Sequence, residues 1–194
     1  MKILQYLSFA AVGTLLMAAD CSNKDSEFYN DVFVQTTDNI VVIEPSATFD
    51  LGSEYVINAT FLKDINETNQ AAKLDVYRTS AAGSFSFSFL IEKENANGEW
   101  ELVTPTINTT DGSAEPGDFV FAHSKFDGDS QYNFRTAVQL NDAGNFRLSF
   151  GYDGLPSKTV ILRSDSFNNN LFVNLYSLCD QLDSSGYYYY TVNE

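Results

Sequence analysis

The stretch SFSFSFLI at positions 84–91 decides the fold of this chain. Phe85, Phe87, Phe89 and Ile91 occupy every second position, and since strand side chains point alternately to two faces, this apolar set lies on one face. Residues 95–98 supply turn residues, and residues 99–103 return with Trp100 and Leu102 in phase with the apolar set. The pattern predicts a β-hairpin at the centre of the core, where each buried large side chain contributes about 1.5–3 kcal/mol.

Short apolar or alternating runs separated by turn residues recur through the rest of the chain, as is typical of β-structure. Residues 131–140 and 145–152 flank the turn residues 141–144 and are predicted to pair as a second hairpin. Residues 104–116 contain Pro105, Gly112 and Pro116 and are predicted to form a long loop. These patterns predict a single all-β domain built as an antiparallel two-layer β-sandwich.

One segment departs from the β pattern. Leu171, Leu175, Leu178 and Leu182 recur at helical spacing, which predicts one short helix near the C-terminus.

The run Asp142, Gly144, Phe146 and Leu148 resembles the Asp-x-Gly-x-Tyr-x-Cys stretch of immunoglobulin-type sandwiches. Phe146 has no hydroxyl for a corner hydrogen bond, and Leu148 is not a cysteine. The resemblance therefore implies only the general architecture of an antiparallel sandwich, immunoglobulin-like or jelly-roll.

The N-terminus has the pattern of an export signal. Lys2 precedes an interrupted apolar stretch at 3–17 that is too short to span a bilayer, which predicts a signal peptide over residues 1–20. The end of this segment, with Ala18 and Ala19 before Cys21, resembles the lipobox of bacterial lipoproteins, whose cysteine is acylated. The resemblance implies a lipidated Cys21, a tether over 21–30 and a domain over 31–194, attached to the outer membrane of a Gram-negative cell.

The polar residues that follow Cys21 resemble the tether of surface-exported lipoproteins, which implies that the domain faces outward. A lipidated Cys21 leaves Cys179 as a lone cysteine, and such residues are usually small buried hydrophobes. If Cys21 carries no lipid, a disulfide between Cys21 and Cys179 is the alternative, because exported domains meet oxidising conditions.

The net charge of -15 excludes several partners. Nucleic-acid binding depends on Lys and Arg contacts to phosphate, so nucleic acid is not an expected partner. The same charge argues against polybasic attachment to anionic lipid, so membrane contact is expected through acyl chains alone.

The chain carries no recognisable catalytic motif, so we predict that it is not an enzyme. His123 and Ser124 are neighbours, but consecutive strand residues point to opposite faces and do not form a catalytic pair. No metal site is predicted; Asp127 and Asp129 are weak candidates for Ca²⁺, since they mimic the start of a calcium loop, although solvated turns explain them equally well.

These observations predict a non-catalytic binding or accessory subunit of an envelope complex. The alternative is a surface lipoprotein that captures glycans for uptake by stacking sugar rings on aromatic side chains. Trp100, Tyr188 and Tyr190 are the candidate ligand contacts. In the final strand, Tyr187 and Tyr189 are expected to face one way, and Tyr188 and Tyr190 the other.

Overall fold

The computed structural model describes residues 30–45, 47–151, 156–165 and 171–194. Residues Asp31–Glu194 form one compact unit. The predicted signal peptide, the lipidated Cys21 and all of the tether but its last residue lie outside the described residues. Within the described part of the chain, no helix is long and apolar enough to cross a membrane.

The described residues form eighteen strands and one short helix. They are β1 (Asn30–Gln35), β2 (Val42–Glu44), β3 (Thr48–Asp50), β4 (Glu54–Asn58), β5 (Phe61–Leu62), β6 (Asp64–Ile65), β7 (Leu74–Asp75), α1 (Val76–Ser80), β8 (Ser84–Glu94), β9 (Trp100–Val103), β10 (Thr106–Asp111), β11 (Ser113–Glu115), β12 (Val120–Phe126), β13 (Gln131–Asn133), β14 (Arg135–Gln139), β15 (Gly144–Phe150), β16 (Thr159–Ser164), β17 (Leu171–Leu178) and β18 (Tyr187–Asn193).

Sixteen of these strands build the two layers of a β-sandwich, and β6 and β7 pair with each other as a small separate sheet, which confirms the predicted all-β fold. The large sheet runs in the order β1-β17-β16-β8-β12-β13-β5, with β15, β18, β3, β9 and β11 attached to it, and the small sheet has the order β10-β14-β4-β2. Nearly all the pairings are antiparallel, and β18 with β3 is parallel. Aromatic side chains join the layers: Tyr55 of the small sheet lies 5.1 Å from the ring of Tyr190 in the large one.

The stretch at 84–91 lies at the centre of the large sheet, as predicted. It forms most of β8, which pairs with β12 and β9 along one edge and with β16 and β15 along the other. The side chains of Phe85, Phe87, Phe89 and Ile91 are all buried. The predicted β8–β9 hairpin is confirmed, with Glu94 opposite Trp100 and Ile91 opposite Val103.

Two neighbouring strands cross from one sheet to the other. The chain leaves the small sheet after β4 and joins the large sheet at β5. The segment paired with it crosses in the opposite direction, from β13 in the large sheet to β14 in the small sheet. The crossing is held by the N–H of Ala59, which donates to the C=O of Phe134 at 2.9 Å. Strands that change sheet in this way form the corners of a sandwich.

The second predicted hairpin is wrong. Strand β14 belongs to the small sheet and β15 to the large one, so residues 141–144 connect two layers instead of turning between paired strands. The predicted long loop at 104–116 is also largely strand, because β10 joins the small sheet and β11 the large one. Turn residues mark where the chain bends, but they do not specify which strand it meets next.

The predicted C-terminal helix is also wrong. Residues Leu171–Leu178 form β17, which pairs with β16 over five residues. Leu175 is fully buried and Leu178 is 53% exposed, so the leucines do not share one face. Long-range pairing overrides the local spacing. Among the described residues, the helical segment is α1. The carboxylate of Asp75 accepts a hydrogen bond from the N–H of Arg78 at 2.8 Å and caps its first turn.

Cys179 is a free, fully buried thiol in the core. Its burial raises the pKa of the thiol to about 11. This position matches the expected role of a small buried hydrophobe.

Candidate functional site

A cleft opens in the large sheet because β8 changes partner along one edge. It pairs with β16 only at Phe85 and Ser86, and with β15 from Phe89 onward. Between these pairings β16 diverges from β8 and leaves a cleft of about 630 Å³. This volume lies in the usual range for ligand sites in proteins.

The cleft has an apolar floor and a mixed wall. Phe87, Phe150 and Val160 reach it from the core, whereas hydroxyl and amide side chains contribute the polar part of its lining. The polar residues are Gln35, Ser86, Ser88, Ser157, Thr159, Asn174 and Tyr176, together with the charged Arg163.

Large apolar side chains surround the cleft on the outer face of the sheet. We name this surface the cleft face and define it by Phe33, Phe121, Ile161 and Leu178, whose exposed fractions run from 40% to 64%. The cross-strand pairs place them on one side: Ile161 lies opposite Tyr176, whose ring is 6.1 Å from that of Phe33. Exposed apolar surface of this kind, rimmed by polar groups, marks interaction sites.

One end of the cleft face carries a polar cluster around Asp165. Its carboxylate lies 3.1 Å from Nδ1 of His123 and accepts hydrogen bonds from the hydroxyls of Ser84 and Ser86 at 2.7 and 3.1 Å. Ser124, which follows His123 in the chain, points to the opposite face, and its hydroxyl donates to the backbone C=O of Ala59. Because the Ser84 and Ser86 hydroxyls donate to Asp165 and not to the His123 ring, the order of contacts differs from that of a serine nucleophile with its base.

A second feature of the outer face is a stack of aromatic rings around Arg147. The guanidinium lies 4.5 Å from the ring centroid of Trp100 and 4.2 Å from that of Tyr187. Glu92 accepts two hydrogen bonds from it, at 2.6 and 2.9 Å. Partial burial is the largest influence on the pKa of Arg147 and lowers it, but the hydrogen bonds to Glu92 and Tyr189 and the charges around the guanidinium together outweigh burial, so the pKa is raised.

Trp100 also forms one wall of a smaller pocket of about 280 Å³. The ring of Tyr189, 45% exposed, meets the Trp100 ring at 5.8 Å. Asn145 donates to Glu94 at 2.9 Å and accepts from Thr191 at 3.1 Å, so a hydrogen-bonded polar row lines the same pocket. We name this site the aromatic pocket.

The structure separates the three residues predicted as ligand contacts. Tyr188 and Tyr190 point into the core and are only 6% and 4% exposed. Tyr190 still contributes to the inner lining of the aromatic pocket. Trp100 was predicted to face the core, but it lies on the outer face. The reason is its cross-strand partner Glu94, whose side chain points outward from β8. The predicted alternation of the tyrosines is correct, and the outward pair is Tyr187 and Tyr189.

The acidic turn at Asp127 is stabilised by hydrogen bonds to its own backbone. One oxygen of Asp127 accepts from the backbone N–H groups of Asp129, Ser130 and Gln131 at 2.8 to 3.2 Å, which lowers the pKa of Asp127. Among the residues that the structure describes, no group of three or more His, Cys, Asp or Glu side chains is placed to hold a metal ion. These contacts do not test whether Asp127 and Asp129 bind Ca²⁺, so the expectation of no metal site stays a prediction.

The cleft itself was missed by sequence reasoning. Its lining comes from strands far apart in the chain, and the gap results from the point at which β16 leaves β8. Exposed Phe121 and Ile161 are the local signal that could have indicated it, since each breaks the expected polar face of its strand.

No family model matches this sequence, and no curated protein matches it. Among solved structures, the chain is similar to a type II cohesin dyad from the adaptor ScaA scaffoldin of Acetivibrio cellulolyticus, with 9% sequence identity and a TM-score of 0.32. The match covers 78% of this chain and 49% of that one, so the chain spans about half the length of that structure. A likeness at this level assigns no function.

Proposed function

We propose that this protein is a non-catalytic binding module, held at the outer membrane by an acylated Cys21 and facing outward, that binds another envelope protein through the cleft face. The observation that carries the proposal is the cleft of about 630 Å³ with Phe33, Phe121, Ile161 and Leu178 exposed around it. Burying these side chains against a partner would remove apolar surface from water, which is the main driving force of association.

The composition of the cleft lining favours a protein over other ligands. Its serine, threonine and amide groups can hydrogen-bond a polypeptide, while its apolar floor accepts side chains. The net charge of -15 favours a partner with a basic surface, because complementary charge speeds encounter and suppresses wrong partners. Association is therefore expected to slow as salt is raised.

Crosslinking followed by affinity purification from native membranes tests this proposal. Ile161→Ser on the cleft face is expected to abolish capture of a stoichiometric partner. Leu102→Ser is the matched control, since Leu102 is 49% exposed on β9, away from the cleft lining. A partner captured equally by both variants, or no partner at all, would contradict the proposal.

The anchor has its own test. Mass spectrometry of the mature N-terminus is expected to find acyl chains on Cys21, and Cys21→Ala is expected to release the protein from membranes. An unmodified residue 21, or one bridged to Cys179, would remove the membrane part of the proposal.

The aromatic pocket supports a second candidate function, which is glycan capture. Trp100 and Tyr189 form aromatic walls, and the row of Glu94, Asn145 and Thr191 supplies hydrogen-bonding groups beside them. Saturable binding on a glycan array, lost in Trp100→Ala and kept in Leu102→Ala, would favour this function. Hydrolysis of any substrate, lost on changing one acidic residue, would overturn both candidates.

A further inference from the structure

The backbone of β16 has a free edge inside the cleft. The C=O of Lys158 accepts from the N–H of Cys179 at 2.9 Å, so the even-numbered residues of this strand direct their backbone groups toward β17. The N–H of Asp165 donates to Ser84 at 2.9 Å, so the odd-numbered residues direct theirs toward β8. Ile161 is odd-numbered, and its N–H and C=O therefore point into the cleft.

No described residue pairs with Ile161 on this side. The register between β16 and β8 ends at Arg163 and Ser86, and its continuation would have brought Ile161 opposite Ser88. Instead, the C=O of Ser88 accepts from the N–H of Gly151 at 3.2 Å. The N–H of Thr159 is bound by the hydroxyl of Ser157 at 3.1 Å, so Ile161 is the position where the ladder is open.

We propose that the partner of the cleft face binds as an added β-strand, pairing its main chain with Ile161 and directing a side chain onto the floor of Phe87, Phe150 and Val160. This inference rests on the proposed function and specifies its mode of recognition. An unpaired backbone edge beside an apolar floor matches strand addition, in which main-chain hydrogen bonds provide affinity and side-chain pockets provide specificity. A polypeptide strand with an apolar residue at every second position meets both requirements at once.

Exposed strand edges are usually blocked by charge, proline or a covering segment. On this edge, β16 has Ile161 where such a residue would be expected, and its charged neighbour Arg163 is bound by Asp31 at 3.1 Å and lies 4.3 Å from the ring of Phe172. The charge of Arg163 is therefore paired within the chain and is not directed toward Ile161.

The probe is a displayed library of ten-residue peptides with alternating apolar and polar positions, compared with a library of the same composition in shuffled order. Both are selected against the purified full-length protein. Ile161→Pro removes the N–H that points into the cleft, while the ladder to β17 does not use that group. Ile161→Val keeps both the N–H and an apolar β-branched side chain, so it is the matched control.

We expect alternating peptides to be enriched. Their affinity should fall about five- to tenfold in Ile161→Pro, since one hydrogen bond to a peptide group is worth up to about a factor of ten, and it should change less than about threefold in Ile161→Val. Amide exchange at Ile161 should slow in the complex. Equal losses in both variants, or no preference for alternation, would overturn the inference. If Ile161→Pro fails to fold, N-methylation of the selected peptide at the residue facing Ile161 gives the same comparison.

The two proposals fail separately. A membrane partner that is captured from cells but is insensitive to Ile161→Pro would overturn strand addition and leave the binding function intact. The absence of any partner captured through the cleft face would contradict the binding function itself.

Discussion

Two leucines of β17 provide a direct test of the fold at the segment where sequence and structure disagree. Leu175 and Leu178 would lie on the same face of the helix that their spacing predicts. In the structure Leu175 is fully buried and Leu178 is 53% exposed. The variants Leu175→Ala and Leu178→Ala remove the same atoms, so any difference between them reports burial alone.

The expected magnitudes follow from these positions. Truncating a fully buried leucine costs about 2–5 kcal/mol, because the lost burial is increased by the cavity left behind. Truncating an exposed leucine costs at most about 1 kcal/mol, which includes the lower strand propensity of alanine. We therefore expect a difference of at least about 1–4 kcal/mol between the two variants.

Urea unfolding followed by circular dichroism and by the fluorescence of Trp100 measures both changes. With a slope of about 2 kcal/mol per molar, Leu175→Ala should lower the midpoint by about 1–2.5 M and Leu178→Ala by at most about 0.5 M. Equal losses of about 2–5 kcal/mol would refute the strand assignment, since they would show that both side chains are buried. Such a result would also remove Leu178 from the cleft face.

Three further predictions concern other parts of the molecule. Gly112→Ala should cost about 1–3 kcal/mol, because its φ of 73° is left-handed and an added Cβ would collide with the carbonyl oxygen of His123; Gly128→Ala, at φ 91° in open space, should cost less, and equal urea midpoints would contradict the clash. Arg147→Met should cost about 1.5–3 kcal/mol of stability, because it leaves Glu92 partly buried without its partner, and it should shift the fluorescence emission of Trp100. Adding Glu92→Gln should recover part of the lost stability. A double variant no more stable than Arg147→Met would contradict the pairing of Arg147 with Glu92. Stability should fall as the pH rises from about 9 to 11, because burial raises the pKa of the Cys179 thiol to about 11 in the folded state, whereas the thiol of the unfolded chain ionises at lower pH. Urea titrations at pH 8 and pH 10.5 should show a smaller decline in stability for Cys179→Ala. An equal decline in both proteins would exclude the thiol as a contributor.

The sequence alone was sufficient wherever the deciding interaction is local. Alternation at 84–91 identified the core face of β8 because successive side chains of any strand point to opposite faces. The turn residues at 95–98 identified the β8–β9 hairpin because they accept the backbone angles that a tight connection needs. The same alternation separated the outward pair Tyr187 and Tyr189 from the inward pair in β18.

The sequence was insufficient wherever a choice depends on distant partners. Trp100 lies outside the core because the register of the hairpin, and not the count along the chain, sets its face. Leu171–Leu178 is a strand because β16 supplies a ladder that a helix at that place would leave unpaired.

The N-terminal pattern predicted an exported protein, the recurring short apolar runs predicted an all-β domain, and alternation predicted which face of its central strand is buried. The tertiary structure alone decided which sheet each strand joins, where β16 leaves β8, and therefore where a cleft with a free edge at Ile161 exists. The reason is physical: side-chain alternation is a property of a single strand, whereas a gap in a sheet is a property of the register between strands that the sequence places far apart.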